Sequence, residues 1–398
     1  MIYRLRYFVI ALLFVATGWA GTKTFRYFFD STAPAVTLSG IDNDGWYCGD
    51  IQCKIRTTKK GYFSVRLDGQ PVINNYWLNQ RGQEHPIAIP TKTLSNGNHS
   101  LVLELTDTSF HHNKAHVERS FVVDNQPLQA AFVRSENDFK VFQGRTMHVQ
   151  FQVNKEIKEA RVRTPSGLYD CFPESKNSSV YECYVPIACE EAPNEYLLNV
   201  DLMDKVGNKL GLDAKFQVVL FPFKKQTLTV NAEKMEQEKA LGLDIQKLED
   251  ALVQCTQASP KDKLWRGAFL MPIDAPRITC EFGTIRTTQE KGRYMHKGLD
   301  VVNLPRAVVW APQDGIVVHK ERYAFTGNTV VIDHGWGILS LFFHLDNFAD
   351  IAVGQKVAKG NPIGTLGKTG YATGYHLHWE MRVNNVQVDP AQWTRTSF

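Results

Sequence analysis

The chain of 398 residues is too long for one hydrophobic core, so two to four domains are expected. Its hydrophobic content of 43% and charged content of 22% are typical of a folded protein and argue against extended disorder. The 45 basic and 41 acidic residues are interspersed and leave a formal charge of only +4. This balance excludes a strongly basic nucleic-acid-binding surface, and no nucleic-acid partner is expected.

Residues 1–21 have the pattern of an export signal, because Arg4 and Arg6 precede an uncharged apolar run that ends near Gly21. The run is short for a membrane-spanning helix, which needs about 20 residues. A retained signal anchor and a cleaved signal peptide are both compatible with it, and a buried N-terminal helix is a third reading. The anchor is favoured by aromatic residues that suit a membrane interface, namely Trp19, Phe25, Tyr27 and Phe28.

This signal predicts a protein of the cell envelope, either anchored in an inner membrane and facing the periplasm or exported. Seven cysteines in an exported chain permit disulfides. The close pairs that could form loops are Cys48/Cys53 and either Cys171/Cys183 or Cys183/Cys189. Cys255 and Cys280 are interpreted as packing residues, and the absence of any C-x-x-C pair argues against a cysteine zinc site.

Residues 33–125 and 126–222 both consist of short alternating segments separated by Gly, Asn, Asp and Pro turns, which is typical of β-sandwiches. The two stretches share an Asp, a turn with Asn, and a closing FVV or FQVV segment, so they are predicted to be tandem copies. They resemble bacterial immunoglobulin-like modules. Either a spacer role or binding to a ligand or the cell wall would fit this architecture.

Residues 230–258 carry apolar side chains at helical spacing and are predicted to form a linking helix with a structural role. Residues 263–398 return to β-rich, glycine-punctuated sequence. The expected fold is therefore mainly β, with two tandem immunoglobulin-like β-sandwiches, a linking helix and a C-terminal β-rich domain. From domain order alone, the sandwiches or the helix could hold a C-terminal groove shut until a partner releases it.

Six of the twelve histidines fall within the last 103 residues. His376 and His378 flank Leu377 in a predicted strand, where period-two alternation places both imidazoles on one face. His296 and Asp300 are four residues apart in an extended segment, with Gly298 relaxing the backbone between them. These side chains offer nitrogen and oxygen atoms that can converge on one point.

Imidazole and carboxylate groups suit Zn²⁺, which in catalytic sites keeps three protein ligands and a water of lowered pKa. His296, Asp300 and one histidine of the pair can supply the ligands. The other histidine and His344 can deprotonate the zinc-activated water or stabilise the oxyanion formed on the scissile carbonyl. The set fits amide hydrolysis.

Residues 271–393 resemble the lysostaphin-type (LytM-type) zinc endopeptidases, which cut peptide bridges in peptidoglycan. The family motif H-x-x-x-D is present from His296 to Asp300, H-x-H from His376 to His378, and H-L at His344. The resemblance implies a zinc metallopeptidase domain with peptidoglycan peptide cross-links as substrate. It implies that the zinc ligands are His296, Asp300 and His378, and that the catalytic pair is His344 and His376.

Two positions depart from the family pattern, because Tyr375 stands where Pro is common and Phe342 where Tyr is common. These departures bear on substrate fit rather than on metal binding. The alternative function is a catalytically silent regulator that activates a separate cell-wall amidase. Another alternative is a structural envelope protein whose sandwiches bind wall glycan or a partner.

The remaining polar residues of interest are expected to act in the structure rather than in the chemistry. His319 and His334 lack a partner at ligand spacing, and the adjacent His111 and His112 would point to opposite faces of a strand. The glycine-rich run 364–374 lacks the features of a phosphate loop and is predicted to be a turn beside the groove. Arg286 and Asp333 are expected either to brace the site or to contact substrate.

Overall fold

The computed structural model describes residues 17–135, 139–227, 242–274, 276–288 and 292–396. The chain forms two compact units, one comprising residues up to Pro127 with Lys205–Asn208, the other Leu128–Asp204 with the residues from Lys209 onward. Strands predominate in both units, which confirms the mainly β fold class. The described helices are α1 (residues 17–29), α2 (Gly242–Gln257) and α3 (Pro390–Arg395).

Of the predicted N-terminal signal, residues 1–16 lie outside the described residues and residues 17–21 are described. The first part of the predicted linking helix, residues 230–241, also lies outside the described residues. Within the part of the chain that is described, no helix combines the length and apolar character needed to cross a membrane.

The first unit contains two sheets, with strand orders β1-β3-β6 and β2-β8-β7-β4-β5. Alternate side chains of β3 and β4 are buried and contribute to one apolar core between the sheets. The sandwich architecture agrees with the expectation, while the immunoglobulin-like class and the domain boundaries stay predictions. The strands are β1 (Val36–Ser39), β2 (Gly45–Tyr47), β3 (Ile51–Thr57), β4 (Gly61–Leu67), β5 (Gln70–Leu78), β6 (Glu84–Ile89), β7 (Gly97–Asp107) and β8 (Lys114–Val123).

The second sandwich belongs to the other unit and has strand orders β10-β17-β16-β12-β13 and β14-β15-β11-β9. Its strands are β9 (Ala130–Phe132), β10 (Phe139–Phe142), β11 (Thr146–Val153), β12 (Ile157–Thr164), β13 (Gly167–Asp170), β14 (Phe172–Pro173), β15 (Val180–Pro186), β16 (Glu195–Asp204) and β17 (Lys209–Val219).

Each sandwich ends one long strand with a buried aspartate that pairs with a lysine. Asp107 closes β7, and its carboxylate lies 3.0 Å from Lys59 Nζ. Asp204 closes β16, and its carboxylate lies 2.6 Å from Lys155 Nζ. These corresponding ion pairs fit the tandem repeat that the sequence predicts.

The C-terminal region is built on an eight-stranded sheet with the order β19-β22-β29-β26-β25-β24-β27, in which β30 also pairs with β29. β26 is buried at every position because the sheet is covered on both faces, as its continuous apolar sequence indicates. Smaller sheets have the orders β18-β20-β21 and β23-β28. The strands are β18 (Lys225–Thr227), β19 (Arg277–Cys280), β20 (Ile285–Thr288), β21 (Gly292–Met295), β22 (Leu299–Val302), β23 (Val308–Trp310), β24 (Gly315–Tyr323), β25 (Gly327–Asp333), β26 (Ile338–Leu345), β27 (Lys356–Val357), β28 (Pro362–Thr365), β29 (Leu377–Val383) and β30 (Val386–Val388).

Helix α2 covers one face of this sheet. Leu248 and Leu252 are buried against a cluster that includes Leu341 and Phe343 of β26. The helical spacing of these leucines in the sequence is what directs both toward the sheet. The helix is therefore a component of the C-terminal region.

The second sandwich shares a core with the C-terminal region. Tyr184 of β15 is 3% exposed and packs with Trp265, Trp336 and Trp393, at ring-centroid distances of 5.6, 5.9 and 5.8 Å. Gln392 also accepts a hydrogen bond from the backbone N–H of Thr146 at 2.7 Å and donates one to its carbonyl at 2.8 Å. These contacts go beyond those of a spacer joined only by a linker.

The cysteines are free thiols in the structure, so the loop-closing pairs considered above are not formed. Cys171 and Cys183 are both buried in the core of the second sandwich. Their packing in this core accounts for their position without a covalent bond.

Glu182 forms a buried ionic link between the second sandwich and the C-terminal region. Its carboxylate accepts hydrogen bonds from Lys263 Nζ at 3.0 Å and from the Tyr184 hydroxyl at 2.9 Å. Burial opposes ionisation, but the hydrogen bond to His148 and the charge of Lys263 outweigh it and lower the pKa of Glu182 to about 2.

We expect Glu182→Gln to lower the free energy of unfolding at pH 7 by about 2 kcal/mol. Because the folded-state pKa is depressed, this contribution is present above the unfolded pKa near 4.5 and is lost as the pH falls toward 2. Denaturant unfolding of both proteins at pH 7, 5, 4 and 3 measures the difference. The control Glu195→Gln removes an exposed ion pair with Lys215 and should change little. A difference for Glu182→Gln that does not vary with pH would contradict this interpretation.

Candidate metal centre and active site

A pocket of about 1210 Å³ opens beside β22, β26 and β29. Its lining contains all five of the residues that the sequence singled out, namely His296, Asp300, His344, His376 and His378. The structure therefore brings together side chains that are up to 82 positions apart in the chain.

Strand pairing places two of the predicted ligands side by side. Asp300 of β22 and His378 of β29 are direct partners in the antiparallel register, and their side chains share one face of the sheet. His378 Nδ1 lies 2.8 Å from Asp300 Oδ1. His296, in the loop before β22, adds its Nε2 at 3.0 Å from Asp300 Oδ1 and 3.1 Å from His378 Nδ1.

These three atoms form a triangle that fits a zinc ion. Zinc–ligand bonds of about 2.0–2.2 Å in a tetrahedral site place neighbouring ligand atoms about 3.4 Å apart. The observed separations of 2.8–3.1 Å are slightly smaller and need only a small outward adjustment. Two imidazoles and one carboxylate are also a donor set that zinc accepts.

Glycine is required at position 298 for reasons of space. A Cβ at Gly298 would lie 2.4 Å from His378 Nε2 and 2.8 Å from the carbonyl oxygen of Trp379. From the sequence, Gly298 is expected to relax the backbone between His296 and Asp300. The structure indicates instead that its role is steric. The Phe343 ring stacks on the His378 ring, with centroids 5.2 Å apart and an interplanar angle of 4°.

The side chains of the three predicted ligands have partners that orient them. His296 Nδ1 lies 3.3 Å from the carbonyl oxygen of Glu281, which accepts a hydrogen bond and leaves Nε2 free of its proton for the metal. Arg286 donates to Asp300 Oδ2 at 3.2 Å, so this arginine braces the Asp300 carboxylate. Glu380 lies 3.7 Å from His378 Nε2.

Burial and hydrogen bonding shift the ionisation of these groups. Burial opposes the charge on Asp300, but hydrogen bonds from His296 and His378 hold its pKa well below the usual range. Burial lowers the pKa of His296, as expected for a neutral ligand. For His378, burial is outweighed by the hydrogen bond to Asp300 and by the nearby Glu380 carboxylate, which raise its pKa to about 9.

His344 reaches the pocket through an unusual backbone conformation. In a regular strand Phe343 and His344 would point to opposite faces, yet both line the pocket. The φ of His344 is +62°, a left-handed conformation that costs energy for a non-glycine residue and is common at functional sites. Its Nδ1 donates to the carbonyl of Thr369 at 2.8 Å. Burial, with the nearby charges of His376 and His378, lowers its pKa to about 3.

His376 completes the pair. Its ring centroid is 4.7 Å from that of His344, and its Nδ1 donates to the Gly374 carbonyl at 2.9 Å. Carbonyl acceptors thus hold both rings in the tautomer that carries the proton on Nδ1. Each histidine therefore has an Nε2 lone pair that can accept a proton.

The other residues noted from the sequence have structural contacts or border the pocket. His334 is buried and bonds to the Asp314 carbonyl and the Ser340 hydroxyl, at 2.7 and 2.8 Å. His319 contacts the Tyr323 hydroxyl at 2.8 Å. Asp333 accepts hydrogen bonds from Ser259 and the Gly335 backbone, so its role is structural. Thr373 and Gly374, from the glycine-rich run, border the pocket as expected of a turn beside a groove.

Cys280 was interpreted from the sequence as a packing residue, and the structure places it at the site. Its thiol, His296 and Asp300 offer ligand atoms that all lie within 4.8 Å of one another. Cys280 pairs with Asp300 across β19 and β22, which explains the proximity. Strand pairing of this kind has no local sequence signal, so spacing alone could not have revealed it.

The fold and this set of side chains define a metallopeptidase-type domain. Residues 294–390 match the model of Peptidase family M23. The match confirms the resemblance to lysostaphin/LytM-type peptidases that the motifs indicated.

Among characterised relatives, the Vibrio cholerae peptidoglycan DD-endopeptidase ShyC is 36% identical over 125 residues, which cover 31% of this chain and 29% of that protein. The DD-carboxypeptidase/endopeptidase Mpg of Neisseria meningitidis serogroup B is 36% identical over 126 residues, with the same coverage. The matched region thus spans less than a third of these relatives.

Two solved structures are similar to part of this chain. A peptidase M23 from Pseudomonas aeruginosa is 22% identical with a TM-score of 0.45, covering 64% of this chain and 94% of that one. The catalytic domain of lysostaphin from Staphylococcus simulans is 25% identical with a TM-score of 0.28, covering 30% of this chain and 93% of that one.

We expect Gly298→Ala to weaken zinc binding by at least about tenfold, because the added methyl group displaces the His378 ring while all three ligand side chains remain. Competition with a chromophoric chelator measures the affinity. Gly374→Ala is the matched control, since a Cβ there meets nothing within 4 Å. Equal affinities for the two variants would show that the space at position 298 does not set the ligand geometry.

Proposed function

We propose that this protein is a zinc-dependent endopeptidase that hydrolyses peptide cross-links of bacterial peptidoglycan. The observation that carries the proposal is one pocket containing a triangle of metal-ligand atoms beside two histidines with matching tautomers. The names of the relatives over the matched region supply the substrate class.

His296, Asp300 and His378 would hold the metal. Zinc bound there would lower the pKa of a water molecule and polarise the scissile carbonyl. Arg286 and the Glu281 carbonyl keep Asp300 and His296 in place. The ligand geometry is thus set in advance by hydrogen bonds and packing.

His376 is the proposed general base. The pKa of about 3 for His344 makes it a weak proton acceptor at neutral pH, whereas His376, which also lines the pocket, is only half-buried. His376 Nε2 takes a proton from the attacking water as the water oxygen bonds to the carbonyl carbon. The same proton then passes to the amide nitrogen as the carbon–nitrogen bond breaks, which leaves a carboxylic acid and an amine, and proton exchange between these two products gives a carboxylate and an ammonium group at neutral pH. His344 orients the water through its Nε2 lone pair.

The proposed substrate bond is the D,D link between peptide stems, since the similar proteins are named DD-endopeptidases. The pocket volume of about 1210 Å³ suits an extended peptide rather than a single residue. Tyr375, which replaces the proline common in the family, lies at the pocket wall, where a peptide would contact it.

We further propose that the protein acts at the cell envelope, held by its N-terminal segment at a membrane. The supporting observation is the exposed aromatic side chains of α1, among them Trp19 and Phe25, which are 62% and 63% exposed. Such residues favour the membrane–water interface.

We expect His376→Ala to retain zinc and to lose activity by about 10²–10⁴-fold, the usual contribution of a general acid–base group. The assay is release of cleaved stems from a purified D,D-cross-linked muropeptide dimer, with zinc content measured on the same sample. His378→Ala should instead lose the metal.

Tyr323→Phe is a control for the substitutions, because the Tyr323 hydroxyl bonds to His319 and Glu321 of β24. Zinc binding by the wild type without cleavage of any cross-linked substrate would contradict the proposal and favour the amidase-activating alternative. Cleavage of a glycine bridge instead of the D,D link would revise the substrate only.

A further inference from the structure

A row of charged side chains leads from the metal site to helix α2. His378, Glu380 and Arg382 occupy alternate positions of β29 and therefore share one face of the sheet, the face that α2 covers. The exposed fractions of these side chains are 13%, 5% and 3%. Charged groups at this depth need partners.

Arg382 is the centre of the row. Its Nε donates to Glu380, and its two terminal nitrogens donate to the two carboxylate oxygens of Glu249 at 2.6 and 2.7 Å. A further hydrogen bond from Arg382 to Asn385 measures 2.9 Å. The fork of two parallel bonds with Glu249 is the strongest geometry available to an arginine–carboxylate pair.

The Glu380 carboxylate interacts with two side chains. One oxygen accepts the Nε hydrogen bond of Arg382, and the other lies 3.7 Å from His378 Nε2, the ring nitrogen that faces away from Asp300. A carboxylate at this position fixes the orientation of a ligand imidazole and increases its basicity. The strength of this interaction between Glu380 and His378 depends on how much of the Glu380 negative charge is neutralised by Arg382.

We propose that Glu249 is a positioning residue for the metal site, acting on His378 through Arg382 and Glu380. This role rests on the proposed function. Glu249 neutralises Arg382 from the outer side, so that Glu380 remains available to hold the His378 ring. Without the Glu249 charge, Glu380 is the only carboxylate that neutralises Arg382. Glu380 then interacts mainly with Arg382, and His378 loses its orienting partner.

Glu249 lies outside the segment that matches the family model. Helix α2 ends at Gln257, before the residues 294–390 that match the family model. Glu249 is 133 residues from Arg382. Its side chain is 37% exposed, so the row also joins the metal site to the protein surface.

The experiment compares zinc affinity in the full chain for the wild type, Glu249→Gln and Glu249→Asp, by chelator competition. The visible spectrum of each protein loaded with Co²⁺ serves as a second readout of ligand geometry. We expect Glu249→Gln to bind zinc about tenfold more weakly and to show an altered cobalt spectrum. Glu249→Asp keeps the charge at a shorter reach and should recover part of the affinity.

Lys247→Gln is the matched control. Lys247 lies on the same helix and pairs with Glu321 of β24, so this variant weakens the docking of α2 without touching the charged row. It should leave zinc affinity and the cobalt spectrum unchanged. Wild-type affinity and spectrum in Glu249→Gln, or an equal loss in Lys247→Gln, would overturn the role of Glu249. A wild-type chain that binds no zinc would overturn the proposed function, and this role with it.

Discussion

The pairing of β22 with β29 is the constraint on which the rest of the site depends. It places Asp300 directly opposite His378, and their ligand atoms lie 2.8 Å apart. A slip of one residue in this register would turn one of the two side chains to the other face of the sheet. The register is secured by the fully buried β26 on the other side of β29, whose Phe343 pairs with and stacks on His378.

Elements outside the central sheet contact the loop that carries His296 and the charged row of β29. Lys297, next to the predicted ligand His296, bonds to Glu190 in the second sandwich and lies 3.1 Å from the Cys189 thiol. The aromatic core around Tyr184 makes that sandwich part of the same folded unit. On the other face, α2 covers Phe343 and the charged row of β29. Packing energy spread over these contacts keeps the candidate ligand atoms in place, as is expected of a preorganised site.

Much of the site was predictable because its residues lie in short motifs. Alternation in a strand predicted that His376 and His378 share one face, and both line the pocket. The spacing of His296 and Asp300 fits the binding of one metal ion. His344 is different, since its left-handed φ of +62° contradicts strand alternation and has no local sequence signal. The roles of Cys280 and Glu249 depend on pairing between distant segments. Such contacts follow from the three-dimensional arrangement and cannot be inferred from spacing.

X-ray absorption fine structure of the zinc-loaded protein is the measurement that tests the central claim most directly. The ligand set His296, Asp300 and His378 predicts only nitrogen and oxygen neighbours, at about 2.0–2.2 Å from zinc. Cys280 offers the competing donor, because its thiol lies within 4.8 Å of the ligand atoms of His296 and Asp300. A sulfur neighbour at about 2.3 Å would show that Cys280 ligates the metal and would contradict the site described here.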